Sequence, residues 1–250
     1  MVEYLYRRNT VTEALRGSRR QLVKLWTQGD KKLTQSIRTL AKERGIPIEE
    51  ADKAHLSQLA GDKSHQGIVL EVGPYQYCTI EDTLAFAASK DERPFLLLLD
   101  LVHGPQNIGS LLRTAEACGI HGVVLQDRRA PNITPHIVNF SAGSAEHLLI
   151  AKVTNLVRTM ERLKESDIWI LGLDISDQAQ LLGEVDLNMP LGLVVGHEGE
   201  GLRRLVRERC DFLLRLPMRG AVESLNAAAA GAIVLYSAWQ ARDFEDAIDA

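Results

Sequence analysis

One arginine, two asparagines, a glutamate and a serine stand in three short segments whose residue types suit work on a weakly acidic hydroxyl. The first segment is Asp100 to Arg113, DLVHGPQNIGSLLR. It follows an apolar run, so Asn107 falls near a helix start, where its side chain can cap the helix or meet a ligand. Gly109 permits close backbone approach. Arg113 lies two turns into an otherwise apolar helix, and taken alone it reads as half of a surface salt bridge. The second segment, Gly196 to Gly201 (GHEGEG), carries three glycines and must turn sharply or press against a ligand. It has neither the dinucleotide fingerprint nor the Lys-Ser/Thr ending of a phosphate loop. Glu198 in such a turn can accept hydrogen bonds from an amino group or an attacking hydroxyl; a plain tight turn is an equal rival. In the third segment, Leu216 to Asn226 (LPMRGAVESLN), Pro217 fixes the chain beyond a strand and Gly220 allows a turn. Ser224 to Asn226 then open the last helix, where Ser and Asn satisfy free backbone donors. For Ser224 simple capping competes with function, whereas a buried Asn226 ahead of four alanines needs hydrogen-bond partners. His103, His121, His136, His147 and His197 show no ligand spacing, and there is no nucleophile elbow, so metal catalysis is not expected.

These segments need a scaffold. Phe95 to Leu99 is a continuous apolar run of the kind found in buried parallel strands. The helix Asn107–Cys118 turns Leu111, Leu112, Ala115 and Cys118 inward. Strands over 123–125, 148–153, 168–173, 191–195 and 212–216 alternate with helices over 155–164, 203–209 and 224–241. The alternation predicts a mostly parallel sheet covered on both faces, with its sites at the carboxyl ends of the strands. Before it, Thr10 to Glu13 reads as a capping box and Gly17 as a stop for a first helix. Leu22–Trp26, Ile46–Glu50 and Ile68–Val72 read as strands, Lys31–Arg44 and Ala54–Ala60 as helices, with Leu33, Ile37, Leu40 and Ala41 on one face. This small α/β unit ends at the breaker pair Gly73-Pro74. The resulting division is 1–73, a linker 74–79, and 80–250. The acidic end, Asp243 to Asp249, reads as a frayed terminus.

A chain of 250 residues with 45% apolar and 25% charged residues has the composition of a soluble globular protein. The apolar stretch Leu225 to Trp239 is too short for a membrane span, and the first residues lack a signal-peptide core. Cys78, Cys118 and Cys210 form no metal or redox motif. The expected location is the cytoplasm. Net charge is −4, but residues 1–73 carry 13 Lys and Arg against 9 Asp and Glu, a balance of +4. A mildly basic unit on an acidic body can contact phosphate, although a solvated face of mixed charge explains it equally well.

Together, PQNIGSLLRTAEACG (105–119), LVVGHEGEGL (193–202) and LPMRGAVESLNAAAAGAIVLY (216–236) resemble the three signature motifs of the SpoU or TrmH family of RNA ribose 2′-O-methyltransferases. YRRNTVTEALRG (6–17) and HQGIVLEV (65–72) are similar to the substrate-binding domain of its ribosomal-RNA branch, which includes an enzyme methylating a 23S rRNA guanosine. The resemblance implies a C-terminal α/β trefoil-knot (SPOUT) domain with a mostly parallel sheet, and a small N-terminal α/β (L30e-like) RNA-binding domain. It also implies a homodimer with the closing helix at or near the interface. S-adenosylmethionine (AdoMet) would be held in the knot largely by backbone groups, here around Gly196, Leu216, Met218 and Leu225. Ala228 stands where the family often has Ser, a change that leaves the cofactor contacts intact. The family points to Arg113 as catalytic. A guanidinium with a pKa above roughly 12 is a poor base, so Arg113 is read as a phosphate clamp that acidifies the hydroxyl. Asn107, Ser224 and Asn226 would orient the ribose and Arg113, with Glu198 an alternate proton acceptor or orienter. Transfer RNA is the rival substrate, and an RNA-binding or ribosome-assembly protein without catalysis is the rival class.

Overall fold

The computed structural model describes residues 2–29, 32–128, 130–222 and 224–247. In chain order the elements begin with β1 (Glu3–Tyr6), α1 (Arg8–Arg16), β2 (Leu22–Thr27), α2 (Gln35–Glu43), β3 (Ile48–Glu50), α3 (Lys53–Ala60) and β4 (Ile68–Val72). Next come α4 (Ile80–Ser89), β5 (Phe95–Asp100), α5 (Pro105–Ala117), β6 (Gly122–Gln126), α6 (Pro135–Phe140), β7 (Ile150–Val153) and α7 (Leu156–Lys164). The chain closes with β8 (Trp169–Leu173), β9 (Gln180–Leu181), β10 (Leu191–Gly196), α8 (Arg204–Arg209), β11 (Phe212–Arg215) and α9 (Ala227–Ala241). The predicted helix start at Lys31 and the far end of the predicted frayed terminus, Asp249, lie outside the described residues.

The chain divides into two compact units, Met1–Gln76 with Asn132–His147, and Tyr77–Pro131 with Leu148–Ala250. The first unit is a four-stranded sheet in the order β1-β4-β2-β3, antiparallel except for the parallel pair β2/β3. Thr34 and Asp52 cap α2 and α3 by accepting from the backbone N–H groups of Ile37 and His55. Ile37 and Ala41 are buried, as their spacing predicts. The capping box predicted at Thr10 is not formed. The helix starts earlier, after Arg7 turns the chain with φ 74°, and Thr10 is buried inside it.

Asn132–His147 lies in this first unit, inside the stretch 80–250 assigned from the sequence to the methyltransferase domain. Its anchor is Arg20, whose side chain is fully buried. Arg20 Nε donates to Glu146 Oε1 at 2.8 Å, and its Nη atoms donate to Glu3 and to the carbonyls of Gly73 and Ile133. Tyr75 lies against the guanidinium and donates its hydroxyl to the Ala145 carbonyl at 3.0 Å. Burial pushes the Glu146 carboxyl up despite the opposing charge of Arg20. Removing one partner of such a pair strands the other charge in low dielectric. Arg20→Met should therefore cost about 3–5 kcal/mol in urea unfolding. Arg20→Met with Glu146→Gln should recover part of that loss, and an unchanged midpoint in the single variant would contradict this account.

The second unit is a seven-stranded sheet in the order β7-β6-β5-β10-β8-β11-β9, and every pairing in it is parallel. β5 (FLLLLD) and β10 (LGLVVG) are buried along their whole length, as expected for strands covered on both faces. From β5 the chain steps outward to β6 and β7, then returns to build β8, β10, β11 and β9 on the other side. The order reverses between β5 and β10, and a crevice opens outside the carboxyl ends of such a pair. α5 and α9 pack together through Gly231, where a Cβ would stand 2.6 Å from Leu111 Cδ2. β1, α4, α6 and β9 were not anticipated from the sequence. α4 nonetheless carries a legible signal, the reciprocal capping box of Thr79 and Asp82.

Candidate active site

The loops after β5 and β10 meet at the reversal point. Pro105 occupies the first turn of α5, where its missing N–H costs nothing, and this places Asn107 in that same turn. Asn107 Nδ2 donates to Glu198 Oε1 at 2.8 Å, and the Gly104 N–H donates to the same oxygen at 3.2 Å. Asn226 Nδ2 in turn donates to Asn107 Oδ1 at 3.2 Å. The Asn226 Oδ1 accepts from the N–H groups of Ala228 and Ala229, capping α9. Three residues from three distant segments thus form one hydrogen-bonded chain, Glu198–Asn107–Asn226. Asn226 is exposed, not buried as the sequence suggested, because it stands ahead of the helix, whose buried face begins behind it at Ala228.

The loop carrying Glu198 is a tight hairpin in which His197 and Gly201 exchange backbone hydrogen bonds of 3.0 and 2.9 Å. His197 Nδ1 accepts from the N–H groups of Gly199 and Glu200. Gly196 must be glycine, since a Cβ there would lie 2.4 Å from the Gly201 carbonyl carbon. Partial burial pushes the Glu198 carboxyl up. The hydrogen bonds from Asn107, its own backbone N–H and Gly104, with His197 nearby, outweigh that and leave it below the usual carboxylate value. A carboxyl with a depressed pKa keeps its charge, and these bonds, through neutral pH and loses them only as acid titrates it.

Beside this chain a cleft of about 690 Å³ opens at the carboxyl ends of β8, β10 and β11. Gly196, Leu216, Met218, Leu225, Ser224 and Glu198 all line it. Its walls are apolar at Leu173, Val195, Leu216 and Leu225, and two buried polar atoms without a hydrogen-bond partner among the described residues, Ser176 Oγ and Arg215 Nε, belong to lining residues. A roomy, largely apolar cleft with a few unspent polar atoms suits a nucleoside-sized ligand. Ser176 and Arg215 were missed in the sequence, although the DIS (174–176) directly after β8 lies beyond the carboxyl end of a parallel strand, where sites are expected. Ser224 lies outside α9 and caps nothing in it.

Arg113 stands apart. It is exposed, does not line the cleft, and makes no ion pair among the described residues, so the surface salt bridge suggested by its isolation is absent. It lies six residues beyond Asn107, about 9 Å along the helix axis.

A parallel sheet with a reversal-point crevice, a glycine-bound loop and a nucleoside-sized cleft defines an α/β fold built to bind a ligand. The family model for the SpoU rRNA Methylase family matches residues 94–236, and that for RNA 2′-O ribose methyltransferase substrate binding matches residues 4–78. A relative from Bacillus subtilis, described as a putative TrmH family tRNA/rRNA methyltransferase, is 42% identical over 243 residues, 96% of each chain. Among solved structures, the AdoMet-bound rRNA methyltransferase from Sinorhizobium meliloti has a TM-score of 0.75 at 22% identity, covering 96% of this chain and 87% of that one. A TrmH/SpoU tRNA modifying enzyme from A. aeolicus has a TM-score of 0.55 at 26% identity, covering 61% of this chain and 77% of that one. This chain belongs to the SpoU rRNA methylase family of AdoMet-dependent RNA methyltransferases.

Proposed function

We propose that this protein methylates the ribose 2′-hydroxyl of a guanosine in 23S rRNA, working as a homodimer in the cytoplasm. The Glu198–Asn107–Asn226 chain beside the cleft is the observation that carries the reaction. The N-terminal substrate-binding unit, basic by four charges over residues 1–73, favours ribosomal over transfer RNA. Domain roles follow: 1–73 grips RNA, 74–79 links, and 80–250, apart from the stretch Asn132–His147 that lies in the first unit, transfers the methyl group, its C-terminal passage tied as a trefoil knot. On α9, Ile233 and Tyr236 are exposed beside small residues, an apolar face suited to a second copy of the chain.

AdoMet, when bound, supplies an electrophilic methyl group, so the protein has to align and acidify the nucleophile. The cleft residues Gly196, Leu216, Met218 and Leu225 hold the cofactor. Ser224 and Asn226 orient the ribose, and Asn107 ties Asn226 to Glu198. Arg113 holds a phosphate near the target and favours the ionising hydroxyl by its charge. Glu198 already accepts two hydrogen bonds and is a weakened base, so its work is positioning, and the hydroxyl proton leaves to solvent by way of the RNA phosphate that Arg113 holds.

Glu198→Gln should then lower kcat by no more than about tenfold, whereas loss of a general base costs roughly 10²–10⁴. A fall in that larger range would make Glu198 the proton acceptor. The substrate is settled by mapping 2′-O-methylation in ribosomal and transfer RNA from cells with and without the gene. Loss of one large-subunit guanosine mark is expected; loss of a transfer-RNA mark instead would move the assignment to that substrate.

A further inference from the structure

A second cleft, of about 540 Å³, is lined by residues from the end of β6, the start of α7 and the start of α8 and has no part in the reaction just described. Leu202 lines the first cleft and Arg203, the next residue, lines the second. Its cationic lining is Arg128, just beyond β6, with Arg203 and Arg204 at the start of α8; no carboxylate lines it among the described residues. Asp100 and Glu208 pair with Arg203 and Arg204, so Arg128 carries the positive charge left without an ion pair among the described residues.

The three arginines are held differently. Arg203 is built into the fold: its Nε donates to Asp100 Oδ1 at 2.7 Å, its backbone N–H to Asp100 Oδ2 at 2.9 Å, and its Nη2 to Gln126 Oε1 at 3.1 Å. Asp100 is fully buried, so this latch fixes the guanidinium plane at the edge of the cleft. Arg204 pairs with Glu208 on its own helix, an exposed contact that an incoming anion can replace at little cost. Arg128 is exposed and makes no ion pair among the described residues. Leu156 and the exposed Leu205 add an apolar floor. Fixed guanidinium groups beside an apolar surface match a phosphodiester and the nucleobase attached to it.

We infer that the Arg128–Arg203–Arg204 cleft is a second RNA subsite, holding the backbone phosphate and base of a nucleotide neighbouring the one methylated. The inference rests on the RNA-methyltransferase reading above. Arg203 follows the hairpin that carries Glu198 by two residues and is already latched to Asp100, so a phosphate in the cleft sits beside the base of that loop. Arg203 is therefore left intact in the test, since its removal would strand Asp100.

The probe is ribosomal RNA purified from cells lacking the gene, measured by filter binding across a salt series and by methyl incorporation. Arg128→Glu and Arg204→Glu should each weaken RNA binding by about tenfold and flatten the salt dependence by about one ion. KM for RNA should rise while kcat at saturating RNA and AdoMet binding stay at the parent value. Lys90→Glu, outside the cleft, is the control for charge alone and should leave RNA affinity within twofold. The inference is overturned if the two arginine variants bind RNA within twofold of the parent, as they would if the cleft took a free nucleotide. It is also overturned if Lys90→Glu is as damaging as they are. Either result with the parent still methylating RNA leaves the proposed function standing. A parent that neither binds nor methylates this RNA removes both.

Discussion

Arg113→Ala is expected to lose methyl transfer by about 10²–10³-fold, the size of effect seen when one preorganised charge-stabilising group is removed. The structure makes this test unusually clean. Arg113 is exposed and its side chain makes no ion pair among the described residues, so truncating it should change stability by no more than about 0.5 kcal/mol. It does not line the cofactor cleft, so AdoMet affinity by calorimetry should match the parent. The loss should fall on kcat with RNA bound, because the proposed clamp acts on the phosphate beside the reacting hydroxyl. Arg113→Lys should recover only part of the rate, since an ammonium keeps the charge but not the planar fork that grips a phosphate through two donors. Turnover within twofold of the parent in Arg113→Ala would end the assignment and return the residue to an idle surface cation.

Gly196→Ala is expected to abolish measurable AdoMet binding. The added methyl would meet the carbonyl carbon, the carbonyl oxygen and the next amide nitrogen of Gly201–Leu202 at 2.4–2.6 Å. These are backbone atoms and cannot swing aside as a side chain would. The hairpin between His197 and Gly201 has to open, which displaces Glu198 and the cleft wall together. Overpacking of this kind costs about 1–3 kcal/mol in stability, so the variant should fold with a lowered melting temperature. Gly199→Ala tests whether position or mere bulk matters. A methyl there meets only the His197 ring, at 3.9 Å, and binding should persist. Parent-like AdoMet affinity in Gly196→Ala would show that the loop does not form the cofactor wall.

Much of the scaffold was legible because it is local. Ile68–Val72 is a strand over the very residues its apolar pattern marks, and Asn155 caps α7 where an Asn ahead of an amphipathic run should. The errors were local as well. At the first helix, side-chain capping by Thr10 was outcompeted by a backbone turn at Arg7 that the residue types do not advertise. α6 has six residues, too few to show a helical period, and was passed over.

The three chemical segments, their glycines and their strand-end positions are properties of the sequence, because capping, turning and burial of an apolar run depend on neighbours a few residues away. Which segments meet was decided only in three dimensions. β5, β8 and β10 are similarly apolar, so periodicity alone does not say that β10 inserts between β5 and β8. That insertion brings Glu198 to Asn107 across 91 residues and Asn226 to Asn107 across 119. The same holds for Arg20, which recruits Glu146 from 126 residues away into the first unit. Strand pairing and buried charge satisfaction are choices among distant partners made by the packing of the whole chain. They converted Asn226 from an expected buried amide into an exposed helix cap at the end of a hydrogen-bonded chain, and left Arg113 exposed with no ion pair among the described residues.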